Sequence, residues 1–490
     1  MWTMVVVTVL LGVVLATVLR FGIQRLWGKS LKSNKLTITT GDVKVVPGWN
    51  RKLTEPNKGD LDEIMKHGSL HEYLLYLHQN GQQPISVFWW GQKRIVSICS
   101  PEMLKDVIKL TNRPKQLFTL LEPIITSQSI QFANGQDWED RRRWLYEAFK
   151  GPALESYIPI FVKIATETAN SWSQLGENDT VDLSDEFLSM TIKGITRTCY
   201  GNVYNNDEEV YNMTQIYYKL WNEIEQCLRV GPPEPGSTRE IELKDNCQQM
   251  RVRLQHVIDR RRSGDDQSTV PFIDALLQSG VPDEQIIAEA ITFLIGGLHN
   301  TGYLLLWTLH YLTVHKDIYD KVVEEMKRKV GPDYGNKLKD YAYDHTTCLR
   351  QTLKETLRLT VISAFAARYS DDDIVVGGYH VPAGTPIVMA LGVSLKSKKI
   401  WQDVEKFDVA HCSYLQGKDR VAFAPFGHGR RKCPGHLFSY IEASVFLTIL
   451  LQRFIFEPVG GAKEAQRVHG FLLTTPKEPL KFHIHANQHF

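Results

Sequence analysis

Phe426-Gly-His-Gly429-Arg-Arg431-Lys-Cys433-Pro-Gly435, running into the apolar stretch Leu437-Phe-Ser-Tyr-Ile-Glu442, is the segment on which the fold assignment turns. Gly429 permits a tight turn. Cys433 stands at the start of a predicted helix, with Pro434 in the first helical position, where a missing N–H costs little. A sulfur placed there faces backbone donors and the positive end of the helix dipole, which lowers a thiol's pKa and favours the thiolate. Gly435 carries no side chain, so a flat macrocycle can approach closely. Phe426 is placed to cover the sulfur from water, and Arg431 to meet an acidic substituent of the macrocycle as a charge-assisted pair. A thiolate pushes electron density onto a metal that it ligates. A lone cysteine is more often an ordinary buried one, so the surrounding residues carry the reading.

The spacing Phe-x-x-Gly-x-Arg-x-Cys-x-Gly resembles the haem-binding signature of the cytochrome P450 enzymes, and its fixed positions are all matched by Phe426, Gly429, Arg431, Cys433 and Gly435. With each residue type near one in twenty, such a match arises by chance on the order of once in ten thousand chains of this length. The resemblance implies a mainly α-helical P450 fold with a small β-sheet subdomain and a b-type haem whose iron is held by Cys433. It also implies NADPH-derived electrons arriving through an NADPH-cytochrome reductase, and insertion of one oxygen atom from O2 into a small lipophilic substrate. Glu355-Thr-Leu-Arg358 is similar to the family's buried Glu-x-x-Arg pair. Trp138 and Arg142, four apart on one helix face, and Arg368, ahead of a strand, are similar to its propionate contacts. Gly296 and Gly297 fall in a run resembling the helix over the distal haem face, where they are expected to leave room for oxygen. More narrowly, Gly68-Ser-Leu-His-Glu72, Val87-Phe-Trp-Trp-Gly91 and Ala390-Leu-Gly-Val393 resemble the orphan animal P450 family 20.

Two departures bear on mechanism. Most oxygen-activating members carry an acid followed by Thr on the distal helix, where this chain has His299-Asn300, with Thr301 one place later. His299 or Thr301, acting through ordered water, is therefore the candidate proton source. The alternative is a His299 that only packs against a neighbouring element. The second departure is Phe407-Asp-Val-Ala-His411-Cys412, in which His411 replaces an Arg expected beside the Glu355–Arg358 pair.

Outward from these segments, the chain is 490 residues with 43% hydrophobic and 10% aromatic content, enough for a sizeable core. Met1 to Leu19 carries no charge, and Arg20, Arg25, Lys29, Lys32 and Lys35 follow it. This reads as a membrane anchor over 1–20, a basic linker with Pro47 over 21–48, and a catalytic domain over 49–490. By the positive-inside rule that domain faces the cytosol, and the resemblance implies a single-pass segment in the endoplasmic reticulum. A net charge of +2 points away from nucleic acid. Seven scattered cysteines suit a reducing compartment. Periodicity predicts a helix near 68–77, strands at 84–90 and 94–99, and helices near 138–149, 155–175, 184–199, 207–229, 240–262, 283–314 and 316–330. Strand-like pieces follow at 373–381 and 386–390, then a last helix from about 434 to 452. The resemblance places the substrate pocket along 117–132, 293–297, 361–367 and 470–473. The basic cluster Arg141–Arg143, with Arg430 and Lys432, is the expected reductase patch. Two other functions compete with the monooxygenase: a redox-partner-independent haem-thiolate isomerase or dehydratase of a lipid peroxide, and a non-catalytic haem or ligand carrier.

Overall fold

Helices dominate because apolar residues recur at helical spacing and because caps and glycines punctuate them. Ser69 accepts from the Glu72 N–H to open α1 (Leu70–Leu77). Helix α2 (Gly135–Glu147) follows the extended Asn134. Leu183 opens α3 (Leu183–Tyr200) behind an Asp182 cap, and Asn206 caps α4 (Asp207–Val230). The 32-residue α5 (Asp283–Val314) starts with two acids in its first turn, at the positive end of its dipole. Helix α6 (Cys348–Thr360) carries the Glu355–Arg358 pair, and α7 (His436–Arg453) is buried almost throughout. The structure, a computed structural model, describes residues 43–52, 58–176, 178–332, 334–415, 417–470 and 472–488. The expected anchor at 1–20 and most of the linker at 21–48 lie outside the described residues. Among the described residues no helix is long and apolar enough to cross a membrane.

Within the body from Val45 to Phe490, α5 is the axis, packing against α3, α6 and α7. Glycine sets the closest approaches among these helices. A Cβ on Gly302 would stand 2.7 Å from Leu188 of α3, and one on Gly194 of α3 would stand 2.0 Å from the Glu442 carboxyl of α7. The larger sheet runs β1 (Ile85–Trp90), β2 (Lys93–Ile98), β4 (Ile387–Met389), β3 (Ala366–Arg368) in spatial order. Its pairs are antiparallel, parallel and antiparallel in turn. A hairpin of β5 (Arg467–His469) and β6 (Thr474–Pro476) lies near the C-terminus. Phe454–Pro458 and Lys481–Ala486 form a further sheet with Val181–Asp182. These C-terminal strands are absent from the sequence reading. The last helix begins at His436 with Gly435 as its cap, so Pro434 lies before the cap and not at the first helical position.

Candidate haem-thiolate site

A cavity of about 350 Å³ lies between the Cys433 segment and α5. On one wall the Cys433 N–H donates to the Phe426 carbonyl at 2.9 Å, closing the loop that presents the sulfur. Phe426 lines the cavity and meets Tyr440 edge-on at 5.2 Å. Gly429 has φ +70, and a Cβ there would stand 2.0 Å from the Ile108 carbonyl oxygen, so no other residue fits the turn. Burial pushes the Cys433 thiol up from its ordinary value. The Gly435 N–H and the charges of Arg142, Arg113 and Lys432 pull it back. The sequence reading expected backbone donors and the helix dipole to lower the thiol; the Gly435 N–H does so, but burial outweighs it. The helix starts two residues beyond the expected position, and burial outweighs its end.

Along one edge of the cavity four guanidiniums converge. Arg142 donates to the Lys432 carbonyl at 2.7 Å. Arg431 donates to the carbonyls of Thr111 and Ala133, and to Asn134 Oδ1 at 3.1 Å, while its guanidinium lies 4.3 Å over the Trp138 ring. Arg368 is 1% exposed, donates to the Ala367 carbonyl, and leaves its Nε buried without a partner. Arg113, which the sequence reading missed, bonds Gln131 and lines the same edge. Burial and the other three guanidiniums push Arg431 down to about 7. Burial lowers Arg368 to about 9 and Arg113 to about 10. Among the described residues none of the four meets a carboxylate.

The opposite wall is α5. Gly296 opens onto the cavity with no atom within 4 Å of where a Cβ would stand, whereas Gly297 packs on Ile195 of α3, its Cβ position 3.0 Å from that side chain. Room over the cavity thus comes from Gly296, and Gly297 serves mainly the packing of α3 on α5. Asn300 lines the cavity and donates from Nδ2 to the Gly296 carbonyl at 2.8 Å. Thr301 lines it too and donates to Ser439 Oγ of α7 at 3.0 Å.

His299 is corrected: it does not reach the cavity. It is 4% exposed, hydrogen-bonds Tyr217 of α4 at 3.0 Å and sits 4.3 Å from the Trp221 ring, and burial holds it down at about 3. The pocket expectation also narrows. Ile130 and Gln131 line the cavity from the 117–132 stretch, whereas Gly470, Leu472 and Leu473 do not. Arg141 is 8% exposed and pairs with Asp137 and with Glu289 of α5, so it cannot serve a docking patch, and Arg142 points inward. Glu355 and Arg358 form a fully buried bidentate pair, at 2.7 and 2.9 Å. His411 Nδ1 reaches the same carboxylate at 2.8 Å, where an Arg was expected.

The cytochrome P450 family model matches residues 53–484. The chain belongs to the cytochrome P450 family. This P450 is 28% identical over 403 residues to Cytochrome P450 20A1 of Rattus norvegicus, covering 82% of this chain and 85% of that one. It is 27% identical over 416 residues to Cytochrome P450 20A1 of Homo sapiens, covering 83% and 87%. The crystal structure of the cytochrome P450DA heme domain superposes with a TM-score of 0.76 at 18% identity, covering 91% of this chain and 99% of that one, which shows a shared fold. As a P450 the chain is a haem-binding monooxygenase of the oxidoreductase class.

The residues present fit that group. A macrocycle ligated by Cys433 and bearing two carboxylates would find four cations that lack counter-charges, one of them with a buried donor still unpartnered. Arg113, Arg142, Arg368 and Arg431 would hold the carboxylates. Trp138, stacked under Arg431, fixes that side chain's plane.

Proposed function

We propose that this P450 holds a b-type haem on Cys433 and inserts one oxygen atom from O2 into a small, uncharged, lipophilic substrate, of sterol or lipid size. NADPH-derived electrons arrive from a reductase on the cytosolic face of the endoplasmic reticulum. The observation that carries the reading is the single cavity in which the Cys433 sulfur, four unneutralised arginines and the bare flank of Gly296 meet. Bound haem supplies the redox centre at which oxygen is reduced.

The protein's own part is positional. The Cys433 loop places the sulfur, the arginines orient the macrocycle, and Phe426 with Phe149 and Leu145 excludes water. Gly296 leaves space opposite the sulfur. Asn300 is tethered to the Gly296 carbonyl, so its amide can orient a water but cannot ionise. Thr301 Oγ1, in contact with Ser439 Oγ, is the hydroxyl through which a proton reaches the cavity. Phe293, Leu304, Val361 and Leu391 supply apolar lining, which supports an uncharged substrate. The uncharged run from Met1 to Leu19 with its basic flank supports the anchor. The half-buried Lys432 remains for reductase docking, with the exposed Arg143 and Arg430, which pair with Asp140 and Glu139.

The carbon monoxide difference spectrum of the reduced protein tests the ligand. Wild type should give the red-shifted Soret band of thiolate ligation, and Cys433→Ser should lose it. The same band in both would remove Cys433 as the ligand. A second reading, the isomerase or dehydratase of a lipid peroxide, is favoured by one observation: no Asp, Glu, His or Lys is among the described residues lining the cavity. Consumption of a lipid hydroperoxide without NADPH or reductase would select it over the monooxygenase.

A further inference from the structure

His71 and Glu72 of α1 and His469 of β5 bring three ligand-type atoms within 4.8 Å of one another, behind the cavity wall and outside the haem site. His71 is 2% exposed, and both of its ring nitrogens are buried without a hydrogen-bond partner. Its ring fills the place that a Cβ on Gly392 would need, 2.4 Å from that position. The ring stands edge-on to His469 at 4.5 Å between centroids. A packed pair of imidazoles alone would leave two buried polar atoms unsatisfied, which proteins rarely tolerate.

The tautomer of His469 can be read from its partners. Thr474 Oγ1 donates its only hydrogen to the Val361 carbonyl at 2.9 Å, so it must accept from His469 Nδ1, 2.7 Å away. The lone pair of neutral His469 is therefore on Nε2, which lies 3.8 Å from Glu72 Oε1. Two acceptors face each other, an arrangement that a cation between them resolves. Lys396 and Arg467 are the cations that face the His469 ring. Those two cations share Glu405, at 2.8 and 3.1 Å, which offsets part of their charge on the cluster.

We propose that His71, Glu72 and His469 bind one divalent transition-metal ion of the zinc type. Two neutral imidazoles and a carboxylate are a donor set that Zn2+ accepts, with water in the fourth position. Thr474 holding Nδ1 is the outer hydrogen bond that orients a metal-bound imidazole. Ligands at about 2.1 Å in a tetrahedron stand roughly 3.4 Å apart, so the ligand atoms must close by up to about 1.4 Å. The half-exposed Glu72 can swing to do so, and it gives the ion its way in from solvent. The ion would tie α1 to the β5–β6 hairpin and, through Thr474, to Val361 on the cavity wall.

The test uses full-length, haem-loaded protein equilibrated with zinc chloride and freed of excess by gel filtration, with zinc and iron counted by elemental mass spectrometry. Wild type should hold one zinc per chain. Glu72→Gln and His469→Gln should bind zinc about 100-fold more weakly in competition with a fluorescent chelator, while keeping their iron and their carbon monoxide spectrum. Glu72 is exposed enough that its variant folds. Wild type holding less than a tenth of a zinc per chain, or both variants retaining zinc as wild type does, overturns the proposal. Zinc is counted independently of iron, so the result stands apart from the haem reading.

Discussion

Replacing His411 by Phe keeps a ring of similar size against Trp401 and removes both ring nitrogens. His411 Nδ1 bonds Glu355 Oε1 at 2.8 Å and Nε2 bonds the Gln402 carbonyl at 2.6 Å. The first bond is charge-assisted and buried, worth about 2 kcal/mol; the second ends on a carbonyl of an exposed residue that water can reclaim, worth about 1. Glu355 keeps Arg358 and the Asp408 N–H at 3.0 Å, so the larger penalty of an unpaired buried charge is not incurred. The expected loss is about 3 kcal/mol, or roughly 3 °C in melting temperature for a body of this size. Calorimetry of the haem-loaded protein measures it, and a double-mutant cycle with Glu355→Gln isolates the pair at about 2 kcal/mol. A cycle closing within about 0.5 kcal/mol would show that His411 only fills space.

The remaining predictions concern the cavity and its borders. Gly429→Ala forces a Cβ onto the Ile108 carbonyl and should abolish haem loading, whereas Gly427→Ala, at φ +69 with open space around it, should cost about 1 kcal/mol; equal haem content in the two would refute the steric argument. Burial raises Glu289 to about 7 from 4.5. The folded state therefore keeps a proton that the unfolded chain releases, and stability falls as pH climbs through that window. Glu289→Gln should remove this fall, gaining roughly 2 to 3 kcal/mol on wild type between about pH 5 and pH 8 in urea titrations; parallel profiles would count against it. His299→Phe should leave the coupling of NADPH oxidation to product unchanged while Thr301→Ala lowers it. Equal losses would return His299 to the chemistry.

What was legible in the sequence was whatever is written locally. The Cys433 loop is contiguous, and its glycine and arginine positions follow from the turn itself. Trp138 and Arg142 share a helix face by spacing alone. His299 illustrates a register that could have been read and was not. At about 100° per residue, Thr292, Phe293, Gly296, Gly297, Asn300, Thr301 and Leu304 fall on one half of α5, and His299 lies roughly 120° from the middle of that arc. Arg113 carries no such signal. It sits in an irregular segment beside Pro114, and only the distant loops that fold over it bury its charge. The strands after residue 453 are short, and their pairing partners lie 5 to more than 20 residues away along the chain or in another segment, as when Phe482 pairs with both Val181 and Pro458. Long-range pairing of this kind leaves little local periodicity.

The charge pattern of the cavity is what ties its architecture to its substrate. All its formal positive charge lies on Arg113, Arg142, Arg368 and Arg431, which perturb one another and stand on the side of Cys433. The far wall offers only the amide of Asn300 and the hydroxyls of Thr292 and Thr301. Two carboxylates on a bound macrocycle would use the cations, leaving the substrate a chamber without free charge. A substrate carboxylate would have to compete with those groups for the same guanidiniums or be buried unpaired against α5, which costs several kcal/mol. On the proposed reading, selectivity for neutral molecules would follow from where the arginines are placed, before any lining residue is considered. Moving a cation to the far wall, as in Asn300→Lys, should admit anionic ligands that wild type rejects, seen as a Soret shift on titrating a fatty acid. An unchanged preference would place the selectivity in the shape of the apolar lining instead.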